Sequence, residues 1–294
     1  MNLSTLLIFL ATAIGGGSTV PLIKLVVSEF TPIPQVFLRA FFAGIIILPF
    51  FLKKNKIFSK RNLITLIFAS ILAAANPLLF AFGIQYTSVI MGQIIYVPTA
   101  LIVAVLGTIF LKEKLTRNQL IGLVFSLIGV SILIYGSFTT KDILSFGTPL
   151  GNILIIIALI CWSSYVVVSR RLSKFYSPLE ITFFNFLVTA FVSFSLMPFA
   201  LRNFDLEKIT QGGIIALASL TIFSTVLFFY FYQIIIKRTS AFISALIFYL
   251  NSIIAGAVGV IFYHEKLTKS LVVGAILIII GVIAATYKTY KERK

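Results

Sequence analysis

GTIFLKEKLTRNQLIGLVFSLIGVSILIY, at residues 107–135, is repeated at residues 259–287 as GVIFYHEKLTKSLVVGAILIIIGVIAATY. The offset is 152 residues, and it aligns the quartet at 113–116, EKLT, with an identical quartet at 265–268. Each copy consists of two apolar segments joined by a short charged loop. An internal repeat of this kind predicts a chain with two similar halves.

The composition is that of a membrane protein. Of the 294 residues, 60% are hydrophobic and only 11% are charged, which is too few charges to cover a water-soluble domain of this size. The first apolar run, from about Leu3, has no basic flank before it and no small-residue cleavage site after it, so we predict a retained helix rather than a signal peptide. The single cysteine, Cys161, excludes an intramolecular disulfide.

We count ten apolar runs that are long enough to cross a bilayer as helices. They lie at about 3–27, 33–52, 62–84, 88–111, 118–136, 148–170, 178–200, 211–233, 240–263 and 270–288. Five spans per half is an odd number, so the second half must enter the membrane from the opposite side. We therefore predict an all-α membrane protein with ten transmembrane helices in two inverted five-helix repeats, residues 1–140 and 141–294. Such repeats place a binding site near the bilayer midplane, between the halves.

The first spans of the two halves also align, with an offset of 146. Ser18 falls on Ser164, Pro32 on Pro178 and Arg39 on Asn185. The polar segment at 136–147, GSFTTKDILSFG, joins the halves.

The net charge of +16 predicts an orientation rather than a nucleic-acid partner, because the basic residues are spread over short loops. With a cytoplasmic N-terminus, seventeen of the 24 lysines and arginines lie in inner loops or the C-terminal tail, and five lie in outer loops. The other two, Lys24 and Arg39, lie within spans. The positive-inside rule then predicts a multi-pass plasma (inner) membrane protein with both termini in the cytoplasm.

Several motifs resemble those of the EamA family of the drug/metabolite transporter superfamily. They are the small-residue and serine motif of span 1 followed by Lys24, then Pro32 and Arg39, the sequence Tyr86-Thr87-Ser88 before span 4, Pro98, and the EKLT loop before a glycine-rich span. The resemblance covers nearly the whole chain and implies a ten-helix transporter that exports or imports amino acids, other small metabolites or drugs. The chain departs from the family pattern at Gly16, where an aromatic residue is usual, and at Leu250-Asn251, which replaces a proline expected in span 9.

Proline and small residues interrupt spans 1 and 3. In span 1, Gly17 and Ser18 precede Pro21, whose ring strips the Gly17 carbonyl of its helical partner. In span 3, Asn76 adds an amide beside Pro77. We expect Gly17, Ser18 and Asn76 to line a substrate cavity. The alternatives are a packing kink for span 1 and a bridge between helices for Asn76.

Further polar and aromatic residues lie near the middle of spans 4, 6, 8 and 9. Gln93 and Tyr96 share a face of span 4 with Thr99, and Pro98 frees the Ile94 carbonyl. Asn251 is the repeat partner of Thr99. In span 6, Trp162 and Ser163 are candidates for one wall of the site, with Tyr232 or Tyr249 as others. Interhelical hydrogen bonding and ordinary packing are the alternative interpretations.

The charged residues near the spans have different expected roles. Arg39 is deep enough to bind a substrate carboxylate in a bidentate manner, or else clamps backbone carbonyls. Lys24 is expected to reach the membrane interface. Glu113 and Glu265, in the repeated loops, are expected to be structural, and His264 is not expected to bind metal or catalyse. Glu180 is the one acidic residue that we place within a span, so we expect a facilitator or exchanger rather than an ion-coupled carrier.

We therefore predict a transporter of a small organic solute that works by alternating access, with no cofactor, no metal and no catalytic residue. One alternative is an importer of a cationic solute such as a quaternary amine. Alternatives of another class are an intramembrane enzyme and a non-transporting membrane subunit. The expected partners are the substrate and the lipid bilayer, and the oligomeric state is left open.

Overall fold

The computed structural model describes residues 3–53, 62–111, 117–139, 146–200, 205–265 and 269–287. In these ranges the chain is helical, with no strand. The helices are α1 (Leu3–Gly17), α2 (Thr19–Phe30), α3 (Pro32–Leu52), α4 (Leu63–Ile84), α5 (Val89–Tyr96), α6 (Thr99–Leu111), α7 (Arg117–Thr139), α8 (Pro149–Leu172), α9 (Pro178–Ser195), α10 (Met197–Ala200), α11 (Gln211–Thr221), α12 (Phe228–Arg238), α13 (Ala241–Ala245), α14 (Ile247–Tyr263) and α15 (Lys269–Tyr287). A π-helical segment, Ile222–Leu227, joins α11 to α12.

Within the described ranges, eight helical segments are long and apolar enough to cross a membrane. They correspond to predicted spans 1–4 and 6–9, and run Leu7–Phe30, Pro32–Leu52, Leu63–Ile84, Val89–Leu111, Pro149–Leu172, Pro178–Ser195, Gln211–Arg238 and Ala241–Tyr263. The predicted fifth and tenth spans are the helices α7 and α15, which contain shorter apolar stretches, 120–129 and 272–281. Glu113, Asp142 and most of the loop at 53–61 lie outside the described residues.

Helices of the two halves are interleaved rather than packed as separate bundles. α3 packs against α9, α4 against α8 and α9, α1 against α12 and α14, α5 against α14, and α7 against α15. Each of these pairs joins a helix of the first half to one of the second. A space at the centre of such an arrangement is necessarily walled by both halves.

Glycines allow two of these pairs to approach closely. A Cβ atom on Gly83 of α4 would lie 2.8 Å from the Gly151 carbonyl oxygen of α8. A Cβ atom on Gly129 of α7 would lie 2.7 Å from the Gly274 carbonyl oxygen of α15. Glycines of the two copies of the repeated segment therefore contribute to contact between the halves.

Some of the helix breaks that the prolines predict are present, and others are not. Span 1 breaks at Ser18, between α1 and α2, and span 4 breaks at Val97–Pro98. By contrast, α4 continues through Pro77. The Ile94 carbonyl, which we expected to be free, accepts a hydrogen bond from the Val97 amide at 3.0 Å.

Two interruptions have no proline and were missed. Span 9 breaks at Leu246, between α13 and α14, and span 8 contains the π segment. In the π segment, the Thr225 hydroxyl donates to the Leu220 carbonyl at 2.9 Å. Such a bond to a carbonyl five residues earlier accompanies the wider turn, and π segments are frequent at functional sites.

Glu265 holds the start of α5. Its carboxylate accepts hydrogen bonds from the backbone N–H groups of Val89 at 2.6 Å and Ile90 at 2.8 Å. A negative charge at a helix N-terminus satisfies free donors and interacts favourably with the helix dipole. The expected structural role of this glutamate therefore takes the form of a contact between repeats, joining the end of span 9 to the beginning of span 4.

Candidate functional site

A cavity of about 80 Å³ lies at the centre of the helices. Its walls come from α1 and α2, from α3, α4 and α5, and from α8, the π segment, α12 and α14. The lining residues are Gly16, Thr19, Val20, Ile23, Arg39, Asn76, Pro77, Phe80, Gln93, Tyr96, Trp162, Ser224, Phe228, Phe229, Phe248 and Asn251. Both halves of the chain thus contribute side chains to one cavity.

The structure brings six of the ten predicted site residues to this cavity. They are Arg39, Asn76, Gln93, Tyr96, Trp162 and Asn251. The other four lie elsewhere: Gly17 packs against Ile254, the Ser18 hydroxyl donates to the Gly15 carbonyl, Ser163 is buried, and Tyr232 is buried behind Trp162. That the six bind a substrate stays a prediction.

The amide residues of the cavity also connect helices. The Asn76 side-chain nitrogen donates to the Ala158 carbonyl at 2.9 Å and to the Tyr96 hydroxyl. In the orientation that its surroundings favour, the Asn251 amide nitrogen donates to the Ala13 carbonyl at 3.0 Å. Gln93 has a long contact, 3.5 Å, to the Ser252 hydroxyl. Bridging helices and lining the cavity are therefore combined in Asn76 and Asn251.

Trp162 is at the centre of an aromatic cluster. Its ring centroid lies 5.5 Å from that of Phe229, 5.9 Å from Phe248 and 6.2 Å from Phe228. The side chain is 3% exposed, and among the described residues its indole N–H makes no hydrogen bond of normal geometry. Buried indoles usually have a partner; here the Tyr232 hydroxyl lies close by and interacts with Trp162.

Arg39 is the other buried donor. Its side chain is 5% exposed, its Nε donates to the Thr225 hydroxyl at 3.1 Å, and one terminal guanidinium nitrogen, NH1, has no partner. Among the described residues, Arg39 forms no ion pair and donates to no backbone carbonyl, so the clamp interpretation finds no support there. An ion buried without a counter-charge is expensive. Because Arg39 lies in the wall of the cavity, an anionic solute bound there would supply the missing counter-charge.

Two other charged side chains do not contribute to the cavity lining. The Lys24 Nζ donates to the Thr87 carbonyl, in the turn between α4 and α5. Glu180 belongs to a capping box at the start of α9, where its carboxylate accepts from the Ser177 amide at 2.6 Å. Its place in the first turn of a helix gives the carboxylate a structural role, which weakens it as a proton site.

Sequence reasoning missed most of the apolar walls. Phe228 and Phe229 begin the aromatic run Phe228-Phe229-Tyr230-Phe231-Tyr232, a signal from which we chose only its last member. Gly16 was singled out solely as a departure from a family pattern. A Cβ atom there would lie 2.5 Å from the Asn251 amide and 2.8 Å from the Phe228 ring. Glycine at this position therefore keeps space open beside the cavity.

A model of the EamA-like transporter family matches the chain twice, over residues 3–135 and 149–287. The chain belongs to the EamA-like transporter family. The two matches begin 146 residues apart and end 152 residues apart, the same offsets as the internal repeat. The chain therefore consists of two EamA repeats, and it is a multi-pass membrane protein of a transporter family.

Curated relatives support the same assignment over almost the full length. An uncharacterized transporter, YyaM, of Bacillus subtilis (strain 168) is 29% identical over 297 residues, covering 97% of this chain and 94% of its own. An uncharacterized transporter of Archaeoglobus fulgidus is 25% identical over 298 residues, covering 99% and 100%. A solved crystal structure matches with a TM-score of 0.70 at 14% identity, covering 100% of both chains, and it supports the fold alone.

Proposed function

We propose that this EamA protein carries a small organic metabolite, such as an amino acid, a related solute or a drug, across the plasma membrane by alternating access. The substrate binds in the central cavity, and the two inverted five-helix repeats rock about it. The proposal includes α7 and α15 as the fifth and tenth spans, for a total of ten.

The observation that supports the proposal most is that both repeats contribute residues to the cavity wall. Three side chains of the first repeat, Arg39, Asn76 and Tyr96, and two of the second, Trp162 and Asn251, line one cavity. A movement of one repeat relative to the other would open that space toward one side or the other. Midplane sites between inverted repeats, formed by interrupted helices, are the common arrangement of such transporters.

The charge of the cavity disfavours the alternative of a quaternary-amine importer. Arg39 is the one charged side chain among the described lining residues, and it is positive. Aromatic faces do attract cations, but a fixed cation in the same small cavity opposes them. A non-transporting subunit would have no use for a buried, unpaired arginine in a cavity, and an enzyme would need a recognisable set of acids, bases or nucleophiles there.

Flux into proteoliposomes tests the proposal. Vesicles with the purified full-length chain are incubated with a mixture of amino acids, organic acids and amines, and the trapped solutes are identified by mass spectrometry. We expect at least one solute to enter above the level of protein-free vesicles. Absence of flux for every class, in protein that is folded and inserted, would contradict the proposal.

The orientation is tested by thiol labelling in a Cys161→Ser background. A cysteine placed at Thr140 should react with an impermeant reagent in intact cells, and a cysteine at Asn55 should not. Labelling at Asn55 alone would invert the topology.

The driving force is tested with imposed gradients. We expect downhill or exchange transport, since among the described residues that line the cavity none is acidic. Sodium-driven accumulation would contradict this, and so would proton-driven accumulation abolished by Glu180→Gln.

A further inference from the structure

Two buried polar groups of the central cavity share one chemical property. Among the described residues, one guanidinium nitrogen of Arg39 has no hydrogen-bond partner, and the indole N–H of Trp162 lies beside the Tyr232 hydroxyl without a hydrogen bond of normal geometry. Both groups are donors that cannot accept a hydrogen bond. Both side chains are more than nine-tenths buried, and both line the same cavity. The missing partner is therefore an acceptor.

The positive charge of the cavity favours an acceptor that is negatively charged. Arg39 is cationic, and among the lining residues that the structure describes there is no carboxylate. The five described carboxylates are bound elsewhere or exposed: Glu265 at the α5 N-terminus, Glu29 with Thr210, Glu180 with Ser177, Asp205 with Lys208, and Glu207 exposed. A negative charge brought in by the solute would neutralise Arg39. A planar carboxylate matches the geometry of a guanidinium in particular.

The rest of the wall is largely aromatic and the space is small. Phe80, Phe228, Phe229 and Phe248 provide rings around it, and its volume is about 80 Å³. Neutral polar side chains complete the lining: Thr19, Asn76, Gln93, Tyr96, Ser224 and Asn251. An ammonium group would lose its hydration in this space without a carboxylate to meet it.

We propose that the cavity binds a small monocarboxylate with an apolar body and without an ammonium group, and that Arg39 binds its carboxylate. The carboxylate site narrows the solute class of the proposed function. Its role in transport rests on that function, whereas binding of the carboxylate does not depend on it.

The test uses three four-carbon compounds that differ in charged groups alone. They are butanoate, butylammonium and 2-aminobutanoate, added to the purified full-length chain at ionic strength held constant with sodium chloride. Trp162 is the single tryptophan, so the intrinsic tryptophan fluorescence reports on the cavity wall directly, and a thermal-unfolding shift provides a second readout. We expect butanoate to bind at least tenfold more tightly than either other compound. Tighter binding of butylammonium or 2-aminobutanoate, or no response to butanoate in both readouts, would overturn the proposal.

Variants assign the binding to Arg39. Arg39→Met should weaken butanoate binding about ten- to hundredfold, the range for loss of charge-assisted hydrogen bonds. Arg39→Lys keeps the charge but not the forked geometry, and we expect an intermediate loss. Lys208→Met removes an exposed positive charge, and its butanoate affinity should equal that of the parent. An Arg39→Met protein that is folded and binds butanoate within threefold of the parent would overturn the assignment; if that variant does not fold, parent-like affinity in Arg39→Lys would do so.

The two proposals fail in different ways. Butanoate binding without flux of any solute would contradict transport and leave the carboxylate site intact. Flux of amines or neutral solutes, with no binding of butanoate, would retain the transporter and remove the carboxylate site.

Discussion

Arg39 and Asn185 occupy equivalent positions in the two repeats, 146 residues apart, but their surroundings differ. Asn185 is 1% exposed and fully engaged: its amide nitrogen donates to the Tyr165 hydroxyl, and its oxygen accepts from Ser70 at 3.0 Å. Arg39 is 5% exposed, and among the described residues it bonds to Thr225 alone and has one guanidinium nitrogen without a partner. Each position links the second span of its own repeat to the third span of the other.

The environment of Asn185 is a closed network. The Tyr165 hydroxyl also accepts from the Gln233 amide nitrogen, and the Gln233 oxygen accepts from Ser169 at 2.8 Å. These groups satisfy one another and need no ligand. Equivalent positions of the two repeats therefore differ in their hydrogen bonds. The side chain at 185 has its hydrogen bonds filled by neighbouring helices and stabilises the fold. The side chain at 39 keeps a donor without a partner among the described residues, and we propose that this donor binds the solute.

The largest expected effect separates these two roles at Arg39. Replacing Arg39 by asparagine, the residue of its repeat partner, should lower solute flux at low substrate concentration by roughly ten- to hundredfold, since a charge-assisted bond is worth ~1.5–3 kcal/mol. The melting temperature should be unchanged or higher, because an uncompensated buried charge is removed. Flux and thermal unfolding are measured on the same preparation. Flux equal to that of the parent would contradict the conclusion that Arg39 and Asn185 differ in role.

At Asn185 we expect the reverse pattern, a loss of stability with little loss of flux. Asn185→Leu removes hydrogen bonds to Ser70 and Tyr165, and such bonds in membrane proteins average ~0.6 kcal/mol and reach ~1.7. We expect the free energy of unfolding in mixed micelles to fall by roughly 1–3 kcal/mol. Flux per folded molecule should stay within about threefold of the parent value, on the same scale of bond energies. A collapse of flux without a loss of stability would show that the second repeat also binds the solute.

The smallest effect concerns the partners of the two residues. Thr225→Val removes the hydroxyl that accepts from Arg39 and donates to the Leu220 carbonyl. We expect a loss of solute affinity of about threefold and a destabilisation of about 0.5–1 kcal/mol, near the weak end of such bonds. Ser70→Ala removes the matching hydroxyl beside Asn185 and should destabilise by about 0.5 kcal/mol with unchanged affinity. The pair is compared by fluorescence titration and by unfolding. Equal behaviour of the two variants would mean that the hydroxyls do not differ in role.

Periodic features of the sequence predicted the architecture well. The repeated segment at 107–135 and 259–287 predicted two similar halves, confirmed by the two family matches. Apolar run length predicted the eight segments that are long enough to span a membrane, because hydrophobicity must persist over a bilayer. Pro98 marked a real interruption, since a proline lacks the N–H that a helix needs.

Other features depend on packing and were not readable from the chain. The break at Leu246 and the π segment at Ile222–Leu227 have no proline signal in the sequence. Polarity and depth selected Arg39, Asn76 and Trp162 for the cavity, but the same reasoning selected Ser163 and Tyr232, which are not among its lining residues. Which side of a helix meets the cavity is decided by neighbours far away in sequence.

The claim that the cavity is a transport pathway is tested most directly by its accessibility from the two sides of the membrane. Thr19 lines the cavity, and a Thr19→Cys substitution in a Cys161→Ser background supplies a single thiol there. An impermeant thiol reagent is applied to intact cells and, separately, to inside-out vesicles. Alternating access predicts labelling from both sides, each slowed by a bound solute. Labelling from one side only would show a pocket with a fixed opening and contradict the account.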